Sequence, residues 1–247
     1  MEKFNTVFVN AGLLMMPLSG AVVTTQQQED IVNSMLLAQL SARAKYPQAQ
    51  QQTEREEAVQ GVLDNVFWVR LSQPRVVVSG AQTLTLADAV ATESAGMFTS
   101  RVSEGFIELM AALKSLPSQE ALTVWREQTA SLIHTEHPAS TDCPVPDEFN
   151  VCVRFAIIDA ESIFHTLMFS FSTRTPLVAD YLTQELLVES KGGLRVQGYT
   201  YELNEPRFAT LRERIVEKLA GKRELFVMPW ARSSTDGQPL VIPQDDR

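Results

Sequence analysis

Several things are scarce in this 247-residue chain, and each scarcity narrows the reading. Two cysteines and three histidines are too few for a disulfide framework or a well-defined zinc site. Cys143 and Cys152 could in principle form one bridge, but Cys152 stands between Val151 and Val153 in strand-like sequence and reads as a small buried apolar residue. His134-Thr-Glu-His137 sets two histidines three positions apart near Cys143, but Pro138 follows at once and no further ligands are defined. The chain has no G-x-S-x-G elbow, no P-loop and no G-x-G-x-x-G, and its many carboxylates form no fixed pair. No cofactor, metal or catalytic residue is therefore expected. Basic residues are outnumbered, 21 against 30 acidic, for a net charge of -9 and a pI near 4.9. That balance argues against a nucleic-acid partner, which would need clustered Lys and Arg. The one basic stretch, Arg207 to Arg223, is mixed with Glu213 and Glu217 and reads as a solvated helix face. Long hydrophobic runs are missing too. The longest, Ala11 to Val23, is broken by Pro17, Ser19 and Gly20 and falls short of the ~18 residues of a spanning helix. Glu2 and Lys3 ahead of it give no net positive leader, so no clear signal peptide is expected.

What is present is enough apolar sequence for a full core: 45% hydrophobic against 21% charged residues. TVFVNAGLL reads as a first strand. Thr25-Gln-Gln-Gln28 is a capping box opening a helix with Ile31, Val32, Met35, Leu36 and Leu40 on one face, as far as Pro47. Thr53-Glu-Arg-Glu56 reads as a second capping box before Val59, Val62, Leu63, Val66 and Phe67, completing a helical hairpin. Arg75 to Val78 is a short strand. A long helix is expected from Thr85 to Leu116, striped by Val102, Phe106, Leu109, Leu113 and Leu116. Its partner carries Leu122, Trp125, Thr129 and Leu132. After a proline-rich loop, His134 to Glu148, the period becomes two. Phe149 to Ile158 and Ile163 to Ser172 form one hairpin, and Tyr181 to Glu189 with Leu194 to Leu203 form another around Gly192-Gly193. Asn204 caps a helix with Pro206 in its first turn. Helices before strands point to an α+β fold with an antiparallel sheet. The expected division is a single domain over residues 1–223 and, over 224–247, a C-terminal strand (Leu225 to Met228) with a mobile tail.

The stretch NVCVRFAIIDAESIFHTLMFSFS, Asn150 to Ser172, has hardly any wet face. If Ile158 pairs with Ile163, Phe149, Val151, Val153, Phe155 and Ile157 join Phe164, Thr166 and Met168 on one side. Ala156, Ile158, Ile163, Leu167, Phe169 and Phe171 then share the other side with Asn150, Arg154 and His165. Exposing either side would forfeit on the order of 10 kcal/mol, at roughly 1.5–3 per large side chain. The two helical hairpins are the available covers, one for each face, which gives a three-layer α/β/α sandwich. Arg154, once covered, needs an Asp or Glu from a covering helix.

This order of elements, with Asn150-Val151, Arg154-Phe155-Ala156-Ile157, the turn and the apolar return strand, resembles the Cyt-type cytolytic delta-endotoxins and their volvatoxin-like fungal relatives. The pairing of the helix Ala87 to Leu116 with Gln119 to Ile133 is similar to that family's second helical hairpin. The resemblance implies a soluble α/β domain that perturbs membranes without catalysis, its helices moving aside so that strands or helical hairpins engage lipid, often after trimming of the chain ends. The membrane-interaction candidates are then Val151, Val153, Phe155, Ile157, Phe164, Leu167, Phe169 and Phe171 in the hairpin, with Val102, Phe106, Leu109 and Leu113 in the helix. The implied partners are target-cell membrane lipids and, on the membrane, further copies of the chain. The implied location is release as a soluble protein followed by action at the target-cell membrane. The alternative is a non-catalytic structural or binding protein whose sheet stays closed.

Overall fold

A computed structural model describes residues 7–48, 51–114, 118–133, 147–160, 162–178, 181–190 and 192–230. In chain order these form β1 (Phe8–Asn10), β2 (Leu13–Pro17), α1 (Thr25–Lys45), α2 (Gln52–Asn65), β3 (Trp68–Ser72), β4 (Arg75–Val78) and β5 (Gln82–Leu84). Next come α3 (Leu86–Met97), α4 (Ser100–Ala112), α5 (Gln119–Thr129), β6 (Ala130–Ile133), β7 (Glu148–Ile158) and β8 (Ile163–Thr173). The chain continues through β9 (Leu186–Val188), β10 (Leu194–Leu203), α6 (Glu205–Phe208), α7 (Arg212–Lys218), α8 (Arg223–Phe226) and β11 (Val227–Pro229).

The strands make one sheet in the order β11-β1-β2-β7-β8-β10-β3, with β4 continuing the edge beside β10 and β6 lying beside the start of β7. The sheet is mixed, because β2 runs parallel to β7, while the other pairings are antiparallel. Helices α3, α4 and α5 cover one face and α1 and α2 the other, each over its own apolar core. The expected α+β three-layer sandwich is the observed architecture, but the sheet, expected to be antiparallel, is mixed because β2 enters it beside β7 in the parallel sense.

Several local expectations are corrected. The first cap is Thr24, which exchanges hydrogen bonds with Gln27. The second capping box does not form: α2 starts at Gln52, behind a Gln51 that makes no side-chain cap bond, and Glu56 turns inward to Arg154. The long helix is two helices, α3 and α4, parted at Phe98, whose backbone is extended. The break lies on β10 at Gly198, where an added Cβ would stand 2.9 Å from Phe98 Cζ and 3.2 Å from Met97 Sδ. Leu132 belongs to β6. The stretch β9 pairs with β5 and touches β8, whereas β10 pairs with β8, β4 and β3, so the second expected hairpin is absent. Asn204 does cap a helix, but the helix expected as far as Gly221 is divided into α6 and α7, and a further turn, α8, precedes the strand β11.

The basic stretch is not a plain solvated face. Arg212 donates to both oxygens of Asp30 at 2.9 and 2.7 Å, and Arg223 pairs with Glu29, tying the closing helices to α1. Strand β11 then joins β1, and Trp230 is fully buried edge-on to Trp125 at 5.9 Å. The packed chain therefore runs on through Trp230, past the boundary expected at 223. The rest of the expected tail, 231–247, lies outside the described residues, as do His134, His137 and Cys143.

Candidate functional site

Strands β7 and β8, 11 residues each, form the central hairpin. Their register differs by one residue from the expected one: Ile158 pairs with Phe164 and Ile157 with His165. The turn decides this. Asp159 N–H donates to Ile163 O at 2.9 Å, Ile163 N–H donates to Ala160 O at 3.1 Å, and Ser162 takes up the left-handed conformation at φ 60°. All odd-numbered positions of both strands consequently share one face. Because side chains alternate, the slip regroups every residue of the return strand.

The odd face carries Val151, Val153, Phe155 and Ile157 beside Leu167, Phe169 and Phe171, all buried in one core with Val102, Phe106 and Leu109 of α4 and Leu113 at its C-terminal cap. Phe155 and Phe169 meet edge to face at 6.2 Å. Helix α4 crosses β7 closely at Gly105, where a Cβ would lie 2.5 Å from Leu18 Cδ1 and 3.4 Å from Ile157 Cγ2. Eleven of the twelve candidate residues thus come together. The exception is Phe164, which faces the opposite core between Trp68 and Tyr201, at 4.7 and 5.0 Å. His165 and, at the far end, Thr173 are the polar members of the odd face, both buried. The His165 Nδ1 lies 2.9 Å from Thr200 Oγ1, its ring stands edge-on to Phe98 at 5.8 Å, and burial holds its pKa below the ordinary value against the raising influence of Asp159.

The even face is mixed. Arg154 pairs with Glu56 of α2, the carboxylate partner that its buried position calls for, with side chains 15% and 10% exposed. Burial opposes the Arg154 charge, but Glu56 outweighs it and raises the guanidinium pKa above its usual value. Burial pushes the Cys152 thiol up, partly offset by Arg154. Gln60 donates to Tyr199 Oη at 2.6 Å, and burial, reinforced by Glu56, raises that phenol's pKa. Beside Cys152 a cavity of about 40 Å³ is lined by Arg43, Arg55 and Arg154. Arg43 and Arg55 were not singled out from sequence. Their one legible trait is a basic side chain on each side of the α1–α2 turn. Among the described residues no group of three or more His, Cys, Asp or Glu is placed to hold a metal ion, and no helix is long and apolar enough to cross a membrane.

The class defined by this geometry is an α+β sandwich with a mixed sheet between two helical layers. Among solved structures it is similar at a distance to a delta-endotoxin, with a TM-score of 0.41 and 9% identity over 82% of each chain. It is also similar to the activated Cyt2Ba monomer from Bacillus thuringiensis subsp. israelensis, with a TM-score of 0.31 and 6% identity over 60% of this chain and 79% of that one. A third similarity, to the Evf virulence factor, has a TM-score of 0.33 and 10% identity over 94% of this chain and 86% of the other. No family model and no curated protein matches the sequence.

Proposed function

We propose that this chain is a non-catalytic, membrane-perturbing protein of the cytolysin type, released in soluble form, whose odd hairpin face meets lipid when α3 and α4 move away. One observation carries the reading: the two helical layers are attached in different ways. On the α1–α2 side, Asn10 donates to Val32 O and Gln39 to Asn10 O, each at 2.9 Å, alongside the Glu56–Arg154 and Gln60–Tyr199 links. On the other side, among the described residues, the polar links from α3 and α4 to what they cover lie at the surface. Ser19 Oγ donates to Glu108 at 2.6 Å, and Arg101 stands 3.7 Å from Asp159. Beneath them lies the apolar core of Val102, Phe106 and Leu109 against the odd hairpin face.

Lipid tails are as apolar as Leu, so exchanging an apolar cover for lipid strands few polar groups, whereas lifting α1–α2 would leave a buried charge unpaired. Tilted strands of ~9–11 residues can span a bilayer, which β7 and β8 match at 11 each. A spanning sheet must close on itself, so several copies would have to assemble at the target membrane. The test is dye release from phosphatidylcholine and anionic vesicles, with intact protein and with protein trimmed at its ends. Dose-dependent release is expected, and its absence across all compositions in both forms would sink the reading in favour of a binding protein with a closed sheet.

A further inference from the structure

The cavity beside Cys152 is built by several parts of the chain. Arg43 comes from α1, Arg55 from α2 and Arg154 from β7, with the amides of Gln39, Gln52 and Gln128 between them. Among the described lining residues there is no carboxylate. Glu56 pairs with Arg154, while the other two arginines are held by neutral acceptors. Arg43 donates to Glu127 O at 3.2 and 3.3 Å and to the side-chain oxygen of Gln128. Arg55 donates to Tyr46 O and Pro47 O, each at 2.6 Å. Carbonyl oxygens orient a guanidinium without cancelling its charge, so these contacts hold positive groups in place around the space. Converging cations with a single carboxylate among them are costly in a partly buried site, all the more conspicuous in a chain of net charge -9. Burial first, and the Arg43 charge next, press Arg55 below its usual pKa, a strain that an anion in the cavity would relieve.

We infer that Arg43, Arg55 and Arg154, with the Gln39, Gln52 and Gln128 amides, form a binding site for one phosphate-type oxyanion, either free in solution or at the head of a lipid. Guanidinium forks and amide donors suit tetrahedral oxyanions, which accept several charge-assisted hydrogen bonds at once. The volume, about 40 Å³, is room for roughly three water-sized spheres, which fits a phosphate group and leaves no space inside for a sugar or a base. The site does not depend on whether the sheet opens, and its readout is binding, not leakage.

The test uses the full chain at constant ionic strength. Inorganic phosphate is expected to raise Tm saturably, as a ligand of the native state does. Arg43→Gln and Arg55→Gln should each weaken that response about tenfold or more, the loss of a charged hydrogen-bonding partner. Arg55→Gln also removes bonds at the α1–α2 turn and could unfold the protein, so Gln52→Glu is the decisive variant. It is nearly isosteric and places a carboxylate among the arginines. It should raise Tm without phosphate and abolish the phosphate response. Flotation with phosphatidic acid vesicles separates the two sources: retention that phosphate competes away identifies a headgroup, and phosphate binding without vesicle retention identifies a free solute. No saturable phosphate effect and no competed retention, or an effect unchanged in Gln52→Glu, overturns the proposal.

Discussion

Arg154 sits midway along a strand whose odd positions from Val151 to Ile157 are all buried hydrocarbon, and it survives there because Glu56 reaches it from the second helix. Removing one partner leaves a largely buried charge alone, a loss of about 3–5 kcal/mol, whereas replacing both with apolar residues of similar size is often neutral. Glu56→Ala should therefore shift the urea midpoint strongly, and Glu56→Leu with Arg154→Met should restore most of it. A double variant as weak as the single one would mean that packing, not charge, holds this contact. The need for a carboxylate at Arg154 was legible in sequence, since a cation amid alternating apolar residues needs a partner. Which carboxylate was not legible, because Glu56 also completes a capping-box pattern with Thr53 and local sequence favours that use.

At the scale of elements, helix α4 depends on Gly105 for its close approach to β7. A glycine inside a helix costs about 1 kcal/mol relative to alanine, so local propensity alone makes Gly105 a weak point. In three dimensions it is the seat of Leu18 and Ile157. Gly105→Leu overpacks this contact and should lower stability by about 1–3 kcal/mol. Because the displaced element is the proposed cover, the same substitution should raise the rate of vesicle leakage. A lower Tm with unchanged leakage per folded molecule would remove α4 from the role of moving cover. The break at Phe98 also sits on a glycine: Phe98 and Met97 occupy the space that a side chain at Gly198 of the sheet would fill.

For the whole molecule, the consequence is unequal layers around one sheet. Cross-links of charge and amide groups hold α1–α2 and the closing helices α6–α8, through Glu56, Gln60, Asp30 and Glu29. Apolar packing dominates beneath α3–α4. Local opening follows the weaker attachment. Native-state hydrogen exchange should show the amides of α3 and α4 opening at lower free energy than those of α1, with β7 and β8 protected to the global limit. Equal protection in both layers would argue for a sandwich that opens only by unfolding. Sequence by itself determined the existence of the hairpin, the need to cover both its faces and the supply of helices to do so, because apolar periodicity and the cost of wetting hydrocarbon are local quantities. Tertiary structure alone decided the register, the parallel seating of β2 on β7, the placing of Phe164 apart from its neighbours and the convergence of three arginines on one cavity. The seating of β2 and the convergence of the arginines depend on contacts between residues far apart in the chain, whereas the register, and Phe164 with it, hangs on the hydrogen bonds of the Asp159–Ile163 turn, where a single residue of slip would have redistributed the return strand.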